Sequence, residues 1–190
     1  MKHIPTCQQL VSYSFFCETC ILAKFARLRF DKSSVHTIHC FQLIHMDLWG
    51  PYRVANITGA RYFLTLVDDF SRCTWTHLLQ NKEQVFFTIL QFYNMIETQF
   101  STKITMVRSD NGTEFINTSC GQFFSDKGIL HQKSVVKTPQ QNGVAERKHR
   151  HLLDTARALR LQAGFPKTFW GECLLSATHI INKLPMETLS

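Results

Sequence analysis

Apolar and polar positions change period several times along this chain. Phe41 to Trp49 (FQLIHMDLW) alternates as a strand does and is stopped by Gly50-Pro51. Tyr62 to Val67 is an almost unbroken apolar run, the pattern of a central strand covered on both faces. Cys73 to Leu79 predicts a third strand, reached through a turn at Asp68, Asp69 and Ser71, where aspartate bonds local backbone. Beyond it the period lengthens. Asn81-Lys-Glu-Gln84 reads as a capping box, and Val85, Phe86, Ile89, Phe92, Tyr93, Ile96 and Phe100 recur at helical spacing. That aromatic face is assigned to the core rather than to a base-stacking platform, since exposed patches of its size are uncommon.

Ile104 to Val107 predicts a fourth strand, Cys120 to Lys127 a short helix stopped by Gly128, and Ile129 to Val136 a fifth strand. Lys137 to Gly143 is polar and contains Pro and Gly, so it is expected to be a mobile loop that holds Glu146 back until a large substrate arrives. The next helix is expected from Val144 to Ala163, with Ala145, Leu152, Ala156, Leu159 and Ala163 on its inner stripe; Gly164 and Pro166 end it. A last amphipathic helix from Phe169 to Ile181 turns Trp170, Leu174, Ala177 and Ile181 inward.

Three carboxylates punctuate this pattern. Asp47 lies in the first strand, Asp110 follows the fourth and precedes the turn pair Asn111-Gly112, and Glu146 sits in the first turn of a helix. A lone aspartate in such a place is more often a turn or surface residue. Three converging carboxylates are another matter, because each pair would repel by roughly 4 kcal/mol at 4 Å and an effective dielectric of about 20. A divalent cation is the natural counter-ion.

Composition sharpens the choice of partner. The chain has 190 residues, 44% of them apolar, enough for one compact domain with a small appendage. Its net charge of +7 and pI near 9.2 favour a polyanion. Arg147, Lys148 and Arg150 flank the third carboxylate and are candidate phosphate contacts, and Asn142 or Gln141 can bond a phosphate or a base. Arg157 and Arg160 divide evenly between that role and a solvated helix face. The seven cysteines include one Cys-x-x-Cys and suggest no disulfide framework, so a reducing, intracellular setting is expected. Neither a secretory leader nor an apolar run near the roughly 20 residues of a membrane span is visible, and a soluble protein is expected. In the basic stretch from Met1 to Thr37, Cys17 and Cys20 form half of a tetrahedral zinc site. His3 and Cys7 would complete it; reduced cysteines without metal are the alternative.

HMDLWGP, YFLTLVDDFSR, VRSDNGTEF and TPQQNGVAERKHR, in this order and spacing, resemble the integrase core of copia-type long-terminal-repeat retrotransposons, and CETCILAKFARLRF resembles the end of the zinc-binding segment that precedes it. The resemblance implies an α/β, ribonuclease-H-like fold, a mixed five-stranded sheet flanked by helices. It implies residues 1–37 as a remnant of the zinc-binding segment, 38–185 as the catalytic core and 186–190 as a truncated tail. Asp47, Asp110 and Glu146 would be the catalytic trio holding two Mg²⁺ or Mn²⁺ ions. The expected substrates are the element's DNA ends and target DNA, with a homo-oligomer in the nucleus as the active form and neither membrane nor small-molecule substrate involved. The alternative is a catalytically silent, truncated remnant that binds nucleic acid by charge.

Overall fold

Strand β2 (Tyr62–Asp68) occupies the position its apolar run predicts, between two hydrogen-bonded neighbours and covered on both faces. The structure, a computed structural model, describes residues 37–133 and 143–184. Around β2 lie β1 (Leu43–Trp49), β3 (Thr74–Leu79), β4 (Met106–Ser109) and β5 (Leu130–Lys133), in the order β3-β2-β1-β4-β5. The first three strands pair antiparallel, whereas β1 with β4 and β4 with β5 pair parallel. Short turns suffice for the antiparallel meander, while each parallel step needs a helical crossover: α1 (Gln84–Phe100) before β4, and α2 (Thr118–Asp126) before β5.

Alternation along β1 and β2 divides the core into two layers. Ile44, Met46, Leu64 and Leu66 face α1 and α2, where Val85, Ile89, Phe92, Ile96, Phe123 and Phe124 close over them. Phe63 faces the opposite way, into a layer built by α3 (Gly143–Gln162) and α4 (Trp170–Lys183) through Leu152, Ala156, Leu174, Ala177 and Ile181. This is the mixed sheet flanked by helices that the resemblance implies.

Local signals act largely as their chemistry requires. Asn81 Oδ1 accepts from the Gln84 amide at 3.2 Å while Gln84 Oε1 accepts from the amides of Gln80 and Asn81, so the capping box forms, one turn ahead of the regular helix. Gly50 ends β1 with φ +131°, and a Cβ there would stand 2.7 Å from the Arg61 carbonyl oxygen. Asp68 binds the Phe41 and Ser71 amides, the local role expected of a turn aspartate. Two expectations are corrected. Phe100, at the last turn of α1, is half exposed although its ring still meets Phe41, and Ala163 lies beyond α3 in solvent, because that helix ends at Gln162. The four cysteines among the described residues are free. No helix among these residues is long and apolar enough to cross a membrane.

Candidate active site

The parallel pairing of β1 with β4 sets His45 opposite Arg108. Asp47 lies two residues further along β1, on the face that carries α3, and Asp110, which directly follows the end of β4, is near enough for its charge to act on it. Glu146 enters from the first turn of α3 and is exposed, as is Asp110. Asp47 is mostly enclosed. Burial above all, then the negative charge of Asp110, with lesser contributions from Glu146 and Glu114, pushes its carboxyl up to about 7, against a stabilising hydrogen bond from the Leu48 backbone.

His149, one turn beyond Glu146 on α3, holds Asp47 from the helix side. Its Nδ1 lies 3.1 Å from Asp47 Oδ2, its Nε2 lies 2.9 Å from Thr65 Oγ1, and its ring meets Phe63 edge-on at 5.1 Å. Burial pushes this imidazole down to about 4, opposed by a hydrogen bond with the Asp47 backbone, so it is neutral at pH 7. With Asp47 ionised, the proton belongs on Nδ1 and Nε2 accepts from the Thr65 hydroxyl. At the second carboxylate, the Gly112 amide donates to Asp110 Oδ1 at 3.0 Å. A Cβ on Gly112 would press within 2.8 Å of the Glu114 carboxyl carbon and 3.0 Å of Asp110 Oδ1. Glu114 itself is paired with Lys82 at 3.4 Å.

The three carboxylates thus share one neighbourhood, but not a finished metal cage: among the described residues no three His, Cys, Asp or Glu side chains are gathered tightly enough to hold an ion. The donor set still suits a hard divalent cation, because all three are carboxylates and the ionised form of Asp47 is disfavoured by burial and by neighbouring negative charge that a cation would offset. Arg147 and Arg150 are exposed beside Glu146 as expected. Lys148 departs from expectation. It is 8% exposed on the inward side of α3, and burial lowers its affinity for a proton, followed by the charge of Arg72. The helical period explains this, since a residue two beyond Glu146 points to another face. Cys17, Cys20 and Asn142, and most of the loop before Glu146, lie outside the described residues.

Sequence reasoning passed over His149, Thr65 and Glu114. The first lies three residues after Glu146, a spacing that puts both on one side of a helix, and Glu114 lies within VRSDNGTEF. Thr65 leaves no mark in a strand, where a β-branched hydroxyl is ordinary. Asp69, by contrast, binds His45 Nε2 at 2.8 Å, Arg72 Nη1 at 2.9 Å and Thr37 Oγ1 at 2.8 Å, and belongs to a structural network at the other end of β1.

A family model described as an integrase core domain matches residues 39–139. The chain is 36% identical over 174 residues to the retrovirus-related Pol polyprotein from transposon TNT 1-94 of Nicotiana tabacum, which covers 92% of this chain and 13% of that protein. It is also 36% identical over 173 residues to the Pol polyprotein from transposon RE1 of Arabidopsis thaliana, covering 91% of this chain and 12% of that protein. The chain therefore spans about an eighth of the length of these curated relatives. Among solved structures, it resembles the catalytic core domain of BIV integrase with a TM-score of 0.56 at 22% identity, covering 76% of this chain and 86% of that one. A chain of the simian T-cell lymphotropic virus intasome in complex with PP2A regulatory subunit B56 gamma gives a TM-score of 0.65 at 15% identity, covering 80% of this chain and 52% of that one. The shared fold is ribonuclease-H-like. This chain belongs to the integrase core domain family, among relatives that are Pol polyproteins of plant retrotransposons.

Proposed function

We propose that this chain is a metal-dependent DNA strand-transfer and end-processing domain, with Asp47, Asp110 and Glu146 as its catalytic carboxylates. The observation that supports it most is the placement of Asp47 on β1 beside Asp110, which directly follows the parallel strand β4, close enough for the charge of one to raise the proton affinity of the other. Asp47, Asp110 and Glu146 would hold Mg²⁺ or Mn²⁺, which when bound supplies charge stabilisation at the attacking and leaving oxygens of an in-line phosphoryl displacement. His149 keeps the Asp47 carboxylate oriented and excludes water from its inner side. Arg147 and Arg150 take the phosphates on either side of the reacting one. A water would serve as nucleophile in trimming a DNA end, and the freed 3′ hydroxyl in joining that end to target DNA, without a covalent enzyme intermediate. Since those contacts are to phosphate, this part of the chain selects little by sequence. Such work implies the nucleus and an assembly of several copies.

Calorimetric titration of Mn²⁺ into the native chain and into Asp110→Asn tests the reading. Binding that is lost in the variant supports it and makes a strand-transfer assay the next step; equal behaviour of the two chains ends it. A second reading rests on the net charge of +7: a remnant that binds nucleic acid through charge alone. That reading expects a log–log salt slope of about −0.9 per phosphate neutralised on duplex DNA, without turnover.

A further inference from the structure

The C-terminal end of β1 opens into a cavity of about 160 Å³ that the carboxylate chemistry does not use. Trp49, Tyr52 and Trp170 line it, with ring centroids 5.6 to 6.2 Å apart, and Leu153, Arg157 and Arg160 of α3 form its other wall. The rings are fixed in place. Phe63 stacks on Trp49 at 5.2 Å, and Trp170 Nε1 donates to the Val54 carbonyl at 3.0 Å. Arg160 is anchored by the Phe165 carbonyl at 3.0 Å and keeps further N–H groups. Among the described residues Arg157 is paired with Asp154, in a surface contact that a phosphate can replace at little cost.

We propose that this cavity receives an unpaired base of the DNA strand lying next to the reacting phosphodiester, with Arg157 and Arg160 on that nucleotide's phosphate. The size suits a single base, and flat rings with guanidinium groups beside them match a flat heterocycle that carries an anion. A base inside a duplex has both faces covered by its neighbours, so only a strand end or a frayed base can enter. Position supports the same occupant. Trp49 lies two residues beyond Asp47 on the same face of β1, about 7 Å away, which is two steps of a stacked strand at about 3.4 Å each. Glu146, Arg150, Leu153, Arg157 and Arg160 follow one another at spacings of three and four along a single ridge of α3, leading from the carboxylates to the cavity.

The inference rests on the DNA-processing reading, but its test needs neither metal nor turnover. A short single-stranded oligonucleotide and the same strand made entirely of abasic residues are titrated into the full chain in the presence of EDTA, following tryptophan fluorescence. The intact strand is expected to quench; the abasic strand is expected to bind about 5- to 100-fold more weakly without quenching. Trp75 packs in the opposite layer against Phe41 and Phe92, so Trp75→Phe should preserve the quenching and Trp49→Phe should reduce it. Arg157→Gln with Arg160→Gln should weaken both strands. Equal binding and quenching by the two strands, or binding unaltered in the double arginine variant, would overturn the proposal. So would an intact strand that fails to bind, or quenching that survives Trp49→Phe undiminished. If Asp110→Asn leaves Mn²⁺ binding intact while the base-dependent quenching holds, the metal reading falls and the cavity stands.

Discussion

His149 Nδ1 stands 3.1 Å from Asp47 Oδ2, so the helix that carries Glu146 also grips the carboxylate on the central sheet. Thr65, on the neighbouring strand and in register with Asp47, holds the other ring nitrogen. One imidazole therefore ties α3 to β1 and β2 at the point where chemistry is proposed. His149→Ala is expected to lower Mn²⁺ affinity by about 10- to 100-fold, the usual cost of losing a group that orients a ligand. His149→Asn, which can still donate to the carboxylate, should recover part of it. Calorimetry on both variants, with far-ultraviolet circular dichroism to show that each is folded, reads the difference.

Metal binding should release protons. The Asp47 carboxyl, pushed up to about 7, is substantially protonated at neutral pH, and a cation must displace that proton. Mn²⁺ affinity is expected to rise by up to about tenfold per pH unit below pH 7 and to level off above it. Titrations in buffers of different ionisation enthalpy count the protons; an affinity independent of pH would contradict the assignment.

Stability in the absence of metal carries the opposite sign for Asp47 and for the buried histidines. Asp47 has its folded pKa raised from 3.8 to about 7, so its contribution is complete below pH 3.8 and is lost as pH rises toward 7. His149, lowered from 6.5 to about 4, contributes fully above pH 6.5 and loses that contribution as pH falls toward 4; His45, His77 and His131 shift in the same direction. Asp47→Asn removes only the first term. Its stability relative to the native chain should therefore climb between pH 4 and pH 7, on the order of 1 kcal/mol per pH unit. Melting curves of the two proteins across that range measure it.

Asp69 should matter for folding and not for metal. Asp69→Ala leaves His45, fully buried and with Nδ1 already lacking a partner among the described residues, without its carboxylate. The expected cost is about 1 to 3 kcal/mol, seen as a lower denaturation midpoint, with Mn²⁺ binding by the folded fraction unchanged.

The surface arginines should separate from the buried lysine. Removing Arg147 or Arg150 is expected to reduce the salt slope of DNA binding by about 1 each. Lys148→Met should leave that slope in place, because its ammonium is turned inward. Binding isotherms at several salt concentrations distinguish them.

The strands and helices were legible in the sequence because each is locally self-consistent: the unbroken run in β2, the capping box at Asn81, the glycine that closes β1. The two aspartates and the glutamate stood out only as a set, since each alone has an ordinary structural use at a strand end or a helix start. What the sequence did not disclose depends on direction rather than identity. Lys148 and Arg147 are adjacent and alike in charge, yet one is buried and the other exposed; His149 looks like one more basic residue in ERKHR until the helix docks. The stripe at Ala163 failed for a simpler reason, the helix stopping one residue short.

Parity along β1 has one further consequence. Met46 belongs beneath α1 and Asp47 beneath α3, so a slip of one residue against β4 would exchange them, pressing a carboxylate into the phenylalanine-rich layer and turning a methionine toward α3. Misregistered molecules would therefore be unstable. The same alternation that builds the core thus also fixes which way Asp47 points, because a chain that turned it the wrong way would not keep its fold.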